Sequence, residues 1–111
     1  MNPLATPPRV MVSRRPRDMR AGINTLAAAV CSELGGDPRD GTLWVFLSRD
    51  LRRCKMLRFE AGCWCMWTLL PSEGAFRWRH SPSGEPAVEV DRAALVVLLS
   101  GLDPSAAVRS R

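Results

Sequence analysis

Between residues 43 and 79 the chain breaks into short apolar or aromatic runs at 43–47, 54–59, 63–70 and 75–79. Turn material separates them: Asp40-Gly41, residues 49–53, Glu60-Ala61-Gly62 and residues 71–74. Runs of that length bounded by Gly, Pro, Asp and Ser are strand material and leave no room for helices. They predict an antiparallel meander of about four strands, with Val10 or Val88-Glu89-Val90 able to widen it toward six.

Two helices flank this meander. Met19, Ile23, Leu26, Val30 and Leu34 recur at spacings that put them on one helical face. Asp18 is placed to cap the start of that helix and Gly35-Gly36 to end it. Asp91 can cap a second helix over 92–100, where Leu95, Leu98 and Leu99 form an apolar stripe before Gly101. The economical arrangement is α+β, with both helices on one face of a small antiparallel sheet. The other face would then carry some of Trp44, Phe46, Trp64, Trp67, Phe76 and Trp78. Those rings either fill the core or leave an aromatic surface for a partner. At 111 residues the chain suits one domain over 1–111, with a Pro-rich lead-in at 1–8, a folded core at 9–103 and a loose tail at 104–111.

Lys and Arg number 16 against 11 Asp and Glu, a formal charge of +5, and every basic residue except Lys55 is arginine. Arginine pairs bidentately with phosphate, so nucleic acid fits the composition, as does an acidic protein; GC-rich coding alone would also favour arginine. Arg49, Arg52, Arg53, Lys55 and Arg58 crowd into ten residues. A hairpin from Leu47 to Cys54 would gather Arg49, Arg52 and Arg53 at its tip, where they either grip phosphates or keep an edge solvated. Lys55 and Arg58 would lie on opposite faces of the following strand. The basic segments 9–20 and 49–58 are expected to form one positive surface.

Catalytic groupings are thin. His80 stands in a Ser-Pro-Ser-Gly stretch that reads as a solvated loop, with no nucleophile and orienting group spaced to use it. No phosphate-binding glycine loop occurs. Asp18, Asp37 and Asp40 are better used as a helix cap and a turn than as a metal cluster. Cys54, Cys63 and Cys65 lack the second paired set that zinc sites show, so they are read, with Cys31, as reduced and metal-free. No cofactor is expected. Residues 1–8 carry no apolar core of signal-peptide length, and the apolar run at 93–99 is too short to cross a bilayer, so no membrane is expected and the protein reads as cytoplasmic.

One ordered series is specific. Asp18-Met19-Arg20-x-Gly22 is followed by Leu26 and Val30, then by Asp37-Pro38-x-x-Gly41 and Leu43-Trp44-Val45-Phe46. Arg49, Lys55-Met56-Leu57, Gly62 and Glu73-Gly74-x-Phe76-x-Trp78 come next, and residues 95–102 complete it. The series, from about Val10 to Asp103, resembles the TnpB (Orf2-like) accessory proteins of insertion-sequence-66-type bacterial mobile elements, which are distinct from the RNA-guided nuclease of the same name. Thr68-Leu69 stands where those proteins usually carry a Lys-Arg pair, Ala21 where they carry Lys, and Arg79 where they carry Pro. The resemblance implies a non-enzymatic helper of transposition, encoded beside a larger transposase that holds the catalytic carboxylates. Its partners would be element-end DNA, the cognate transposase and other accessory proteins of the element. Arg20, Arg49, Arg52, Arg53, Lys55 and Arg58 are the candidate DNA contacts. A protein-interaction module using the aromatic face is the alternative.

Overall fold

The computed structural model describes residue 7 and residues 9–100. Along the chain run β1 (Val10–Ser13), α1 (Ile23–Ser32), β2 (Leu43–Leu47), β3 (Cys54–Glu60), β4 (Cys63–Leu69), β5 (Ala87–Val90) and α2 (Arg92–Ser100). The strands form one sheet in the order β4-β3-β2-β1-β5. All neighbours are antiparallel except β1 and β2, which run parallel with Val10 opposite Leu43 and Val12 opposite Val45. The class is α+β, as expected. The lead-in at 1–8, apart from Pro7, and the tail with Gly101 lie outside the described residues.

The helices do not share a face. Leu26 and Val30 of α1 pack with Trp44, Phe46 and Leu57, whereas Leu95 and Leu98 of α2 pack with Val12, Leu43, Val45, Leu47 and Met56. Side chains alternate across a strand, so these sets lie on opposite faces. The parallel β1–β2 pair is the physical reason: joining parallel neighbours takes a crossover, and α1 is that crossover. With α1 on one face and β5 docked beside β1 at the far edge, α2 folds back over the other. All five residues of β2 are buried as a result, which is why it reads as an unbroken apolar run.

Two local readings also change. Residues 75–79 form no strand; they cross the α2 face as irregular chain, pinned by Phe76 N–H to the Leu51 carbonyl (2.7 Å) and Arg77 N–H to the Leu98 carbonyl (3.3 Å). Helix α1 begins at Ile23 with Gly22 in extended conformation as its cap residue. Asp18 instead closes the turn before it, accepting from the N–H of Arg20 at 2.8 Å while its carbonyl accepts from Ala21 N–H. At the other end, Gly35 takes φ +70, and the N–H groups of Leu34 and Gly36 satisfy the last α1 carbonyls. The cap on α2 is as read: Asp91 Oδ1 accepts from Ala94 N–H at 2.7 Å.

Candidate nucleic-acid interface

Because β1 and β2 are parallel, both end on the same side of the sheet, and the loops that leave them, 14–22 and 48–53, emerge side by side. Arg17 N–H donates to the Leu47 carbonyl at 2.9 Å and joins the first loop to the end of β2. Lys55, only 9% exposed, reaches across from β3 to donate its Nζ to the Ala21 carbonyl at 2.8 Å. The bidentate pair of Arg17 with Glu33, at 2.9 and 3.1 Å, ties the same loop to the end of α1.

The second loop is organised by Ser48. Its Oγ accepts the N–H groups of Arg52 and Arg53 and donates to Asp50, while its N–H meets the Arg53 carbonyl. The chain turns through Leu51 at φ 62, a left-handed conformation that costs a branched residue roughly 1–2 kcal/mol. Leu51 packs against the α2-side core, and that anchor leaves Arg49, Arg52 and Arg53 outside and exposed. A third segment closes the corner: the His80 ring meets the Ser48 carbonyl at 2.9 Å through Nε2. A carbonyl only accepts, so Nε2 carries the proton, and the buried Nδ1 has no partner. His80 is half-buried and ties two loops together, a correction to its reading as a solvated loop residue.

Two clefts result. One of about 510 Å3 is lined by residues 16–20 with Ser48, Arg49, Asp50 and Arg53; the other, about 500 Å3, shares Pro16 and Arg49 and adds Arg15, His80, Ser81 and Pro82. Arg49 stands between them. The rim carries two carboxylates already engaged. Asp18 is held down to about 2 chiefly by the side-chain hydrogen bond from Arg20, helped by Arg20 N–H; Asp50 is lowered by Ser48 Oγ and the N–H of Arg52.

Of the candidate contacts, Arg49, Arg52 and Arg53 are together, with Arg20 across the first cleft in its pair with Asp18 (2.7 Å, side chain 89% exposed). Lys55 is at the same end but buried beneath the loop it anchors. Arg58 is elsewhere: 6% exposed, it donates from Nε to the Gly41 carbonyl and pairs with Glu60 at the opposite end of the sheet. Arg9, paired with Asp40 at 3.5 Å, is at that end too. The positive surface expected over both basic segments is therefore smaller; it keeps Arg15, which is exposed on the second cleft and was not among the candidate contacts. Its place at the end of a strand parallel to β2 could not be read from local pattern. Among the family-motif positions, Asp37, Pro38 and Gly41 form a turn in which Asp37 Oδ1 accepts Arg39 N–H and Gly41 takes φ 88. Gly74 takes φ 64 before Phe76, which is buried, and Trp78, half-buried on the α2 face. Met19 packs beside α1.

Cys54 and Cys65 do not meet across their strand pair. The register places Cys54 opposite Leu69 and Cys65 opposite Arg58, four rungs apart, roughly 13 Å. Burial pushes the Cys54 thiol up to about 12, so by itself it stays a protonated thiol at neutral pH. Among the described residues no three His, Cys, Asp or Glu side chains gather as ligands, and no helix is long and apolar enough to cross a membrane.

A small α+β domain with loops on a parallel strand pair presenting arginines at one end is the class that fold and site define. The chain belongs to the family described as IS66 Orf2-like protein, which it matches over residues 8–109, and with that family goes an accessory role in transposition. It is 34% identical to uncharacterized protein y4hO of Sinorhizobium fredii over 95 residues, 86% of this chain and 81% of that protein. It is 30% identical to uncharacterized protein y4jC of the same organism, again over 86% of this chain and 80% of the relative. No solved structure matches it.

Proposed function

We propose that this chain is a non-catalytic accessory factor for transposition of an insertion-sequence-66-type element, holding element-end DNA by its phosphates while the separate transposase does the chemistry. It would act where that DNA lies, in the cytoplasm, alongside the transposase and other accessory proteins. The observation that carries the reading is the convergence of Arg15, Arg49 and Arg53 on two adjoining clefts at one end of the sheet, with Arg52 exposed on the same loop as Arg49 and Arg53. Arginine forks on loops held by main-chain bonds suit phosphate oxygens along a backbone and carry no base code. Arg20 would join them by exchanging Asp18 for a phosphate.

Titration against element-end duplex over a range of salt tests it. Each phosphate neutralised contributes about −0.9 to the slope of log K against log salt. Changing Arg49, Arg52 and Arg53 together to Ala should flatten the slope by about 2.7 if all three touch phosphate. Binding that ignores salt in the wild type would reject the mechanism. The alternative, an aromatic docking surface on the face of Trp44 and Trp64, turns on the half-buried Trp64, since Trp44 is 1% exposed. It predicts that the triple change spares transposase binding and that Trp64→Ala abolishes it.

A further inference from the structure

The two edges of the sheet differ in a way that the basic end does not explain. β5 is four residues long, follows Pro86 and presents Glu89 to solvent, devices that discourage another strand from pairing. β4 has none of them. It is seven residues long, and from Ala61 to Ser72 the chain carries no charged side chain and no proline except Pro71, beyond the strand. Its apolar side chains are half-exposed on both faces, and Leu70, just beyond the strand, is 68% exposed. A strand that long and neutral, at an edge with no further strand beside it among the described residues, is a template for another strand.

The register says which backbone groups are open. Ala61 (φ 54) and Gly62 (φ 75) make a two-residue turn with both residues left-handed, so the flanking Glu60 and Cys63 form a hydrogen-bonded pair. Alternation then turns the N–H and C=O of Trp64, Met66 and Thr68 away from β3. These groups ask for a strand. The side chains say whose: in an antiparallel pairing of two copies of β4 about a two-fold axis at Met66, Trp64 faces Thr68 of the second copy and Cys65 faces Trp67. Each tryptophan meets a small side chain, and no like charges approach despite the +5 charge of each chain.

We infer that β4 pairs with β4 of a second copy of this chain, joining two five-stranded sheets into one continuous sheet across a two-fold axis. The interface is isologous, so it closes at two copies. It is independent of DNA binding, because the arginine loops lie on the far side of β3 from this edge.

Sedimentation of the full chain should give twice the chain mass at micromolar concentration. Met66→Lys sets two ammonium groups against each other on the axis and should give a monomer with unchanged circular dichroism. The register has its own test, in a background with Cys31→Ser and Cys63→Ser: Trp67→Cys faces Cys65 of the second copy in a close, non-hydrogen-bonded pair. Mild oxidation should link that variant into a covalent dimer and leave Leu70→Cys unlinked, and this comparison stands even if Met66→Lys does not fold. A monomeric wild type, with the edge bare or covered by residues 101–111, overturns the inference. So does a Met66→Lys dimer as stable as the wild type, or equal cross-linking in the two cysteine variants.

Discussion

At the end of the sheet where β1 and β2 finish, Arg49, Arg52 and Arg53 stand exposed on a loop whose one carboxylate, Asp50, is engaged by Ser48 and the Arg52 N–H. At the opposite end the cations are engaged by other groups of the chain. Arg58 is buried against Glu60 and the Gly41 carbonyl, Arg9 meets Asp40, and the Arg39 guanidinium lies 5.3 Å from the Phe59 ring and 5.5 Å from Trp64. The same residue type thus serves as surface charge at one end and, buried as Arg58 or exposed as Arg9 and Arg39, as a partner for the chain's own groups at the other. Counting arginines does not separate the roles; burial and partner do.

The largest effect should come from the frame both ends share. Trp44 is 1% exposed between α1 and the sheet, with Gly36 against its ring. Trp44→Ala should cost about 3–5 kcal/mol, read by urea unfolding, and should degrade both ends together. Survival of the clefts with the α1 packing lost would show that the basic end does not depend on the frame. Next comes Arg58→Met, which leaves the Gly41 carbonyl and Glu60 without their buried donor and should cost about 1–3 kcal/mol. The salt slope of DNA binding should not move. A flattened slope would mean that the two ends are one surface.

The triple change at Arg49, Arg52 and Arg53 is the mirror image: each surface substitution should shift stability by no more than about 0.5 kcal/mol, while the slope falls. Arg39→Ala is its control at the other end, losing a ring contact and no phosphate. The smallest effect is at Asp18. Its folded value, about 2, is below the ordinary 3.8. The carboxylate form is therefore favoured by folding, and its contribution is complete above pH 4 and lost as pH falls toward 2. In Arg20→Ala the Asp18 midpoint, followed by NMR of the carboxyl carbon, should return toward 3.8. A midpoint that stays near 2 would assign the shift to the Arg20 N–H and to Lys55 rather than to the guanidinium.

Legibility follows the range of each interaction. The apolar spacing of Ile23, Leu26 and Val30, the Asp91 cap and the Gly62 turn are set by neighbours a few residues away, and they stand as read. The placement of α2 was also written in the chain, in a signal that passes as ordinary: five consecutive apolar residues at Leu43–Leu47 mean a strand covered on both faces. Residues 75–79 mislead because Phe76 and Trp78 are apolar for a different reason, packing on the α2 side without ladder partners.

By itself the sequence determined the helix faces, the tight turns, the charge excess and the ordered motif series, because each depends on local periodicity, backbone preference or identity. Only the tertiary structure decided that β1 pairs parallel with β2, and so that Arg15 stands beside Arg49 while Arg58 goes into the frame. Pairing of strands 33 positions apart, as Val10 and Leu43 are, is settled by which faces can be buried together, and no window along the chain contains both partners.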